Sequence, residues 1–171
     1  RRIDTALRTP HRGADALLRS GCEAMLSAIT LREVPGSNAR LREALQAADL
    51  PTDDIEDGGR TFFEAVSGGD EIVGYAGLER CRGDYLLRSV VVLPAHRGLG
   101  FGRAIVEATL RGLDGSGGIY LATTSAAPFF SSIGFSEVPR AIVPAAVLMT
   151  RQLSFICPST ATIMKLNRSP T

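Results

Sequence analysis

Lysine is almost absent from this sequence: Lys165 is the only lysine among 19 basic side chains in 171 residues. A Walker-type phosphate loop requires a lysine after its glycines, so this class of nucleotide-binding protein is excluded. Schiff-base catalysis, which needs a lysine amine, is disfavoured for the same reason. The sequence also lacks a Gly-x-Ser-x-Gly segment, the motif that carries the nucleophile of α/β-hydrolases.

Potential metal ligands are scarce as well. The sequence has two histidines, His11 and His96, and three cysteines, Cys22, Cys81 and Cys157. No two of them stand at the spacing of a zinc site, so we predict that the protein holds no structural metal. An odd number of cysteines without a pairing pattern indicates reduced thiols, which are typical of a cytoplasmic protein.

Neither the charge nor the apolar runs indicate a nucleic acid or a membrane as partner. The 19 basic and 18 acidic residues leave a net charge of +1, unlike the basic surface of a nucleic-acid-binding protein. The longest apolar run, residues 141–149, contains Pro144 and is too short to cross a bilayer. We therefore expect no nucleic-acid partner, no membrane insertion and a cytoplasmic location.

The chain divides into an arginine-rich extension and one domain. Residues 1–24 show little periodicity and form either a flexible arm or an arm that binds a partner. Residues 25–171 alternate strand and helix signals, which is typical of an α/β domain with a mixed sheet and helices on both faces. The acidic segment 53–57 is interpreted as a solvated loop. Strands are predicted at 28–34, 61–66, 71–80, 85–93, 119–123, 135–138 and 161–166, and helices at 38–49, 98–110, 125–133 and 144–153.

A glycine-rich turn between a strand and a helix is the most informative segment. Residues 90–93 are apolar and mostly β-branched, which indicates a buried central strand, and residues 97–103 have the sequence RGLGFGR. The alternating glycines do not match the G-x-G-x-x-G spacing of a dinucleotide site. Free N–H groups at the start of the helix and two flanking arginines favour an anion. The turn therefore predicts a site for a phosphate or pyrophosphate.

The same turn resembles the acetyl-CoA signature R-x-x-G-x-G of the GNAT acyltransferase superfamily. Residues 121–135 are similar to the second motif of that family, a strand followed by a short helix and a closing Gly-Phe. The resemblance implies a GNAT-like α/β fold with a mostly antiparallel sheet that opens beside residues 90–92. It also implies an N-acetyltransferase with acetyl-CoA as co-substrate. The acetyl-CoA contacts it implies are Val90, Val91, Val92, Arg97, Gly98, Leu99, Gly100, Phe101, Gly102 and Arg103.

Further segments resemble the type-2 arsenic-resistance N-acetyltransferase subgroup, namely residues 49–54, 87–89, 121–124 and 154–161. This likeness spans residues 28–167. The Thr-Thr and Phe-Phe pairs before the closing Gly-Phe are also similar to N-acetylglutamate synthase domains. Both relatives imply that the acceptor is the amino group of a small amino acid or amino-acid analogue. The arsenic subgroup implies a glutamate-like organoarsenical.

Acetyl transfer to an amine needs a base, because an ammonium group cannot attack a thioester. Glu79 is the first candidate and Glu64 the second, and the alternative for each is a solvated carboxylate at a strand end. Arg88, on the central strand, is the candidate for binding an acidic acceptor, and its alternative is a surface ion pair.

Phe130 stands where many members of the superfamily have a tyrosine that protonates the departing thiolate. A phenyl ring has no proton to give, so the proton source stays open between water, the product ammonium and a hydroxyl such as Thr123 or Thr124. The same two threonines are candidates for contacting the acceptor.

Three functions therefore compete. The favoured one is an acetyl-CoA-dependent N-acetyltransferase that acts on a small-molecule amine, with arsenic resistance as the implied biology. The others are an N-acetylglutamate synthase-like enzyme and a non-catalytic acyl-CoA-binding sensor. A homodimer formed through an exposed sheet edge or the C-terminal segment is a further expectation.

Overall fold

The computed structural model describes residues 29–167, and the extension predicted at 1–24 lies outside the described residues. The strands are β1 (Thr30–Val34), β2 (Arg60–Val66), β3 (Ile72–Cys81), β4 (Asp84–Val92), β5 (Ile119–Thr123), β6 (Phe135–Glu137) and β7 (Thr162–Leu166). The α-helices are α1 (Ala39–Ala47), α2 (Phe101–Arg111), α3 (Ala127–Ser132) and α4 (Ala145–Leu148).

The strands form one sheet in the order β1-β2-β3-β4-β5-β7-β6. Neighbouring strands run antiparallel, except that β5 runs parallel to β4. A parallel neighbour requires a crossover connection, and α2 provides it. This architecture confirms the predicted fold class, a mixed and mostly antiparallel sheet with helices on both faces.

Helix α1 begins at a side-chain cap. Asn38 Oδ1 accepts a hydrogen bond from Leu41 N at 3.0 Å, which satisfies one of the free N–H groups of the first turn. Leu41 and Leu45, one helical turn apart, are fully buried. They pack in one cluster with Phe62 of β2 and Tyr75 of β3, so α1 covers one face of the sheet.

Helices α2 and α3 cover the opposite face. Ile105 of α2 packs in one apolar cluster with Ala76 of β3. Val106, the next residue, packs in a second cluster with Phe130 of α3 and Leu87 of β4. These contacts hold α2 against β3 and β4, so the helix begins directly beyond the end of β4.

The C-terminal segment differs from its prediction. One helix was expected over 144–153, but α4 has only four residues, and a π-helical turn follows at Gln152–Ile156. Two side-chain hydroxyls donate to backbone carbonyls here: Thr150 Oγ1 to Val147 O at 2.7 Å, and Ser154 Oγ to Thr150 O at 2.8 Å. Such bonds compete with the regular helical pattern.

This C-terminal segment packs on the same face of the sheet as α1. Val147 and Leu153 form a cluster with Leu86 of β4 and Cys81 of β3. Cys81 and Tyr75 are separated by an even number of positions on β3, so they share a face, and Tyr75 contacts the α1 cluster. The face therefore has two apolar clusters, one under α1 and one under the C-terminal segment.

Within residues 29–167, no helix is long and apolar enough to cross a membrane. The same range contains no group of three or more histidine, cysteine or acidic side chains placed to hold a metal ion. His96 packs edge-on against the ring of Phe101, with 5.8 Å between the ring centroids.

Replacing the α1 cap should destabilise the fold measurably. Asn38→Ala removes the acceptor of Leu41 N, so we expect the free energy of unfolding to fall by about 1 kcal/mol. The matched control is Ser37→Ala, because Ser37 is exposed and makes no cap bond. Urea unfolding followed by circular dichroism measures both. Equal stabilities for the two variants would contradict the assigned cap.

Candidate functional site

Strands β4 and β5 separate near the middle of the sheet. They pair at Tyr85 with Ile119 and at Leu86 with Tyr120, and no pair between the described parts of the two strands follows. β5 continues instead against β7. The edge of β4 over residues 87–92 is therefore open, which confirms the predicted opening of the sheet.

A β-bulge lies at the start of this open edge. Tyr75 pairs with Val91 while Gly77 pairs with Arg88, so β4 has one residue more than β3 in this stretch. Ser89 takes up the extra length with a left-handed φ of 55°. A bulge bends and twists its strand, so it changes the direction in which the end of β4 leaves the ladder.

The turn after β4 presents free backbone N–H groups. Gly98 and Gly100 have left-handed φ values of 76° and 84°, which glycine adopts without strain. Among the described residues, none accepts a hydrogen bond from the N–H groups of residues 98–103. These groups lie at the start of α2, where the helix dipole adds partial positive charge. The turn is therefore suited to an anion such as a pyrophosphate.

The two arginines of the turn differ in their partners. Arg97 Nε donates to Val92 O at 3.0 Å, so this carbonyl points out of the β3–β4 ladder. The guanidinium of Arg97 has no acidic partner in the described part of the chain. Arg103 Nε lies 2.9 Å from Glu107 Oε1, in an exposed pair. Arg97 is thus the more available of the two for a phosphate.

The remaining predicted acetyl-CoA contacts surround the same turn. Leu99 is exposed, whereas Phe101 is buried in an apolar cluster with Val73 of β3. A Cβ on Gly102 would lie 3.0 Å from Phe129 Cζ, so this glycine lets α2 and α3 pack closely. The structure places the predicted turn residues beside the open edge of β4. Their contact with acetyl-CoA stays a prediction.

A buried cluster of four charged side chains lies next to the bulge. Arg88 Nη1 and Nη2 donate to the two carboxylate oxygens of Asp54 at 2.6 and 2.5 Å. Arg88 Nη1 also donates to Glu79 Oε2 at 3.2 Å. Arg60 Nη2 lies 3.2 Å from Asp54 Oδ2 and 3.3 Å from Glu79 Oε1. Two positive and two negative charges therefore balance in a site shielded from water. We call these four residues the charge cluster.

Asp54 corrects the interpretation of segment 53–57 as a solvated loop. Its side chain is 0% exposed, because two arginines bind it. Burial alone would raise the pKa of Asp54, but the hydrogen bond and charge of Arg88, followed by those of Arg60, hold the pKa below its ordinary value of 3.8. No local signal separates this aspartate from its acidic neighbours, since its partners come from β2 and β4.

The structure brings together two residues for which the sequence predicts separate roles. Arg88, the predicted acceptor-binding residue, and Glu79, the first candidate base, are both buried and contact each other. An acidic acceptor would have to compete with Asp54 for Arg88. The two roles stay predictions, and Asp54 and Arg60 join them as residues that the sequence did not single out.

The other predicted site residues lie apart from the charge cluster. Glu64, the second candidate base, pairs with Arg32 at 2.9 Å. Thr123 Oγ1 accepts a hydrogen bond from Ala126 N at 2.9 Å, so it holds the chain at the start of α3. Thr124 is exposed. For these residues too, a role toward acceptor or thiolate stays a prediction.

A cavity of about 450 Å³ lies between α1 and the ends of β3 and β4. Its polar and charged lining includes Arg40 and Glu43 of α1, Tyr75 of β3 and Arg97 of the turn. Val91, on the open strand, also lines it. Because Val91 and Arg97 belong to the predicted acetyl-CoA contacts, the cavity adjoins that site. We call it the α1 cavity.

Residues 58–137 match the family model described as an acetyltransferase (GNAT) domain. This range contains the open strand, the glycine turn and α3. The segment is a GNAT acetyltransferase domain. Acetyl-CoA is the acetyl donor of this family, and the free N–H groups of the turn fit its pyrophosphate. The protein is therefore an acetyl-CoA-dependent acyltransferase.

Solved structures show the same fold. An acetyltransferase of the GNAT family from Staphylococcus aureus Mu50 has a TM-score of 0.55 at 23% identity, over 82% of this chain and 99% of that chain. N-acetylglutamate synthase from Neisseria gonorrhoeae, complexed with coenzyme A and L-arginine, has a TM-score of 0.61 at 16% identity, over 82% of this chain and 34% of that chain. Spermidine N-acetyltransferase from Vibrio cholerae has a TM-score of 0.56 at 16% identity, over 82% and 94%. No curated protein matches the sequence significantly.

Neutralising Asp54 should destabilise the GNAT domain in a pH-dependent way. Asp54→Asn leaves two buried arginines facing one carboxylate, so we expect a loss of about 3 to 5 kcal/mol at pH 7. The folded pKa of Asp54 lies below 3.8, so its contribution is complete above pH 3.8 and is lost as the pH falls through the folded pKa. The gap between wild type and variant should therefore narrow at acidic pH. Denaturant unfolding at several pH values measures it.

The matched control is Asp53→Asn, an exposed neighbour whose side chain makes no bond in the charge cluster. It should change stability by no more than about 0.5 kcal/mol. A pH-independent loss in Asp54→Asn would contradict the role given to the carboxylate.

The left-handed glycine of the turn should be needed for coenzyme binding. Gly100→Ala makes a φ of 84° unfavourable, so the turn should relax and misplace its N–H groups. We expect the Kd for coenzyme A to rise about tenfold or more, measured by calorimetry. Gly112→Ala is the control, because Gly112 has a φ of −82° at the other end of α2 and open space around it. Unchanged affinity in Gly100→Ala would count against the turn as the binding site.

Proposed function

We propose that the protein transfers acetyl from acetyl-CoA to the amino group of a small amino acid or amino-acid analogue. The α1 cavity carries this proposal, because it shares Val91 and Arg97 with the predicted acetyl-CoA site. Its lining has charges of both signs, with Arg40 and Arg97 against Glu43. A cavity of this size and polarity suits a small molecule that has both an amino and an acidic group.

Within this proposal, the favoured acceptor is a glutamate-like molecule, including a glutamate-like organoarsenical. Arg40, at the cavity, supplies a cation for an acidic group of the acceptor, since it has no acidic partner in the described part of the chain. An N-acetylglutamate synthase-like enzyme would differ only in which glutamate-like amine it accepts.

The transfer requires two proton movements. The acceptor amine loses a proton, its nitrogen forms a bond to the acetyl carbon, and the bond between that carbon and sulfur breaks. The departing thiolate gains a proton. Backbone N–H groups on the open edge of β4 are available to stabilise the charge that develops on the acetyl oxygen, and one such donor is typically worth about 3 to 4 kcal/mol.

The contacts favour Glu64 over Glu79 as the base. Both carboxylate oxygens of Glu79 are already engaged, Oε1 by Arg60 and Oε2 by Arg88, so neither is free to contact an acceptor amine. Glu64 has a single arginine partner and pairs across the sheet with Tyr75, which lines the α1 cavity.

A non-catalytic acyl-CoA-binding sensor is the second candidate. Phe130 supports it, since the ring is buried against Phe129 and Phe135 and offers no proton to a thiolate.

Exposed apolar side chains of the C-terminal segment, Met149 and Phe155, support the expected homodimer.

A thiol-release assay with acetyl-CoA tests the proposal. The acceptors are L-glutamate, a glutamate-like arsenical, the other proteinogenic amino acids, and spermidine as a purely cationic comparison. We expect turnover with one or both glutamate-like acceptors and about tenfold lower kcat/KM with spermidine, since Arg40, which has no acidic partner among the described residues, repels a cation.

Gly100→Ala serves as the control that turnover depends on the glycine turn. Tight binding of coenzyme A with no turnover on any amine would favour the sensor. Preference for spermidine would contradict the amino-acid acceptor while leaving the acetyltransferase activity in place.

A further inference from the structure

Tyr75 has an unused hydroxyl at the α1 cavity. Its side chain is 2% exposed and lines that cavity. In the range 29–167, no residue forms a hydrogen bond with the hydroxyl. The hydroxyl is also not one of the unpartnered atoms that are sealed from solvent, so it opens into the cavity. A hydroxyl that faces a cavity and has no partner among the described residues is available to bind a polar group of a ligand.

The other two tyrosines have different surroundings. Tyr85 donates through its hydroxyl to Asp114 at 3.3 Å, at the opposite end of β4. The ring of Tyr120 lies 5.6 Å from Lys165 Nζ. Neither tyrosine lines the α1 cavity.

Arg40 stands beside Tyr75 at the same cavity. Burial raises the pKa of Tyr75, the charges of Glu64 and of Glu43 at the same cavity raise it further, and the charge of Arg40 opposes the shift. The hydroxyl therefore stays protonated at neutral pH and can donate a hydrogen bond. Arg40 adds a second donor and a positive charge, and it forms no ion pair within the described residues.

We propose that Tyr75 and Arg40 bind the carboxylate of the acceptor amino acid, each donating to a carboxylate oxygen. This inference rests on the proposed function and deepens it, since it makes the carboxylate a requirement for recognition. Arg97, at the turn side of the cavity, is left for the phosphates of acetyl-CoA. Separate arginines then hold the two anions, which limits competition between the two substrates.

Steady-state kinetics with the best acceptor from the thiol-release assay tests the assignment. A hydrogen bond to a charged group is stronger than one between neutral groups, so Tyr75→Phe should raise the acceptor KM about tenfold or more. The KM for acetyl-CoA should change less than about twofold. With an acceptor amine that has a methyl group in place of the carboxylate, wild type and Tyr75→Phe should perform equally.

The matched controls are Tyr85→Phe and Arg42→Gln. Tyr85 loses only its exposed bond to Asp114, and Arg42 lies on α1 but pairs with Glu56 instead of lining the cavity. Arg40→Gln should behave like Tyr75→Phe, while both controls keep the wild-type acceptor KM. A selective rise in the acetyl-CoA KM in Tyr75→Phe would overturn the inference, because it would assign the α1 cavity to the coenzyme.

A readout without turnover separates this inference from the proposed function. The chain has three tyrosines, so labelling their ring Cζ with ¹³C gives three signals that Tyr→Phe variants assign. Addition of L-glutamate to the complex with coenzyme A should shift the Tyr75 signal and leave Tyr85 unchanged. A shift of the Tyr75 signal without turnover would contradict the proposed acetyl transfer but support the carboxylate subsite. An unshifted Tyr75 signal at saturating L-glutamate would refute the subsite even in an active enzyme.

Discussion

Strand β4 cannot hydrogen-bond to β5 along its whole length, and the site depends on this constraint. Pairing stops after Leu86, and the bulge at Ser89 changes the direction of the strand. The released edge leads directly into the glycine turn, where further N–H groups have no acceptor among residues 29–167. Unpaired backbone groups inside a sheet normally cost free energy. A substrate that hydrogen-bonds to these groups would offset that cost.

The charge cluster connects the loop after α1 to the three strands beside the site. Asp54 comes from the loop after α1, whereas Arg60, Glu79 and Arg88 come from three adjacent strands. Removing these charges from water has a large cost, which their mutual contacts offset only when all four are present. The cluster therefore fixes the loop against the sheet beside the bulge. The cluster also affects the predicted role of Arg88 in binding an acidic acceptor. The charge of Arg88 is already balanced by Asp54 and Glu79, so Arg88 attracts a further anion less than a free cation would.

Local patterns predicted the framework well. The β-branched run and the alternating glycines act within a few residues of their own positions, so the central strand and the turn were visible in the sequence. The C-terminal helix was predicted too long because the hydroxyls of Thr150 and Ser154 bond to the backbone. The burial of Asp54 was missed because an acidic run resembles a solvated loop until its distant arginines are known.

The order of strands and helices and the position of the glycine turn were visible in the sequence, because both rest on short-range backbone preferences, and the resemblance of the turn to a known signature implied the GNAT fold class. Which side chains share a site became visible only from the packing of the strands and helices. This packing paired Glu79 with Arg88, and it left the hydroxyl of Tyr75 and the guanidinium of Arg40 unpartnered around one cavity within residues 29–167. Those relations depend on β2, β3 and β4 lying side by side under α1, so they arise from long-range packing that no local pattern encodes.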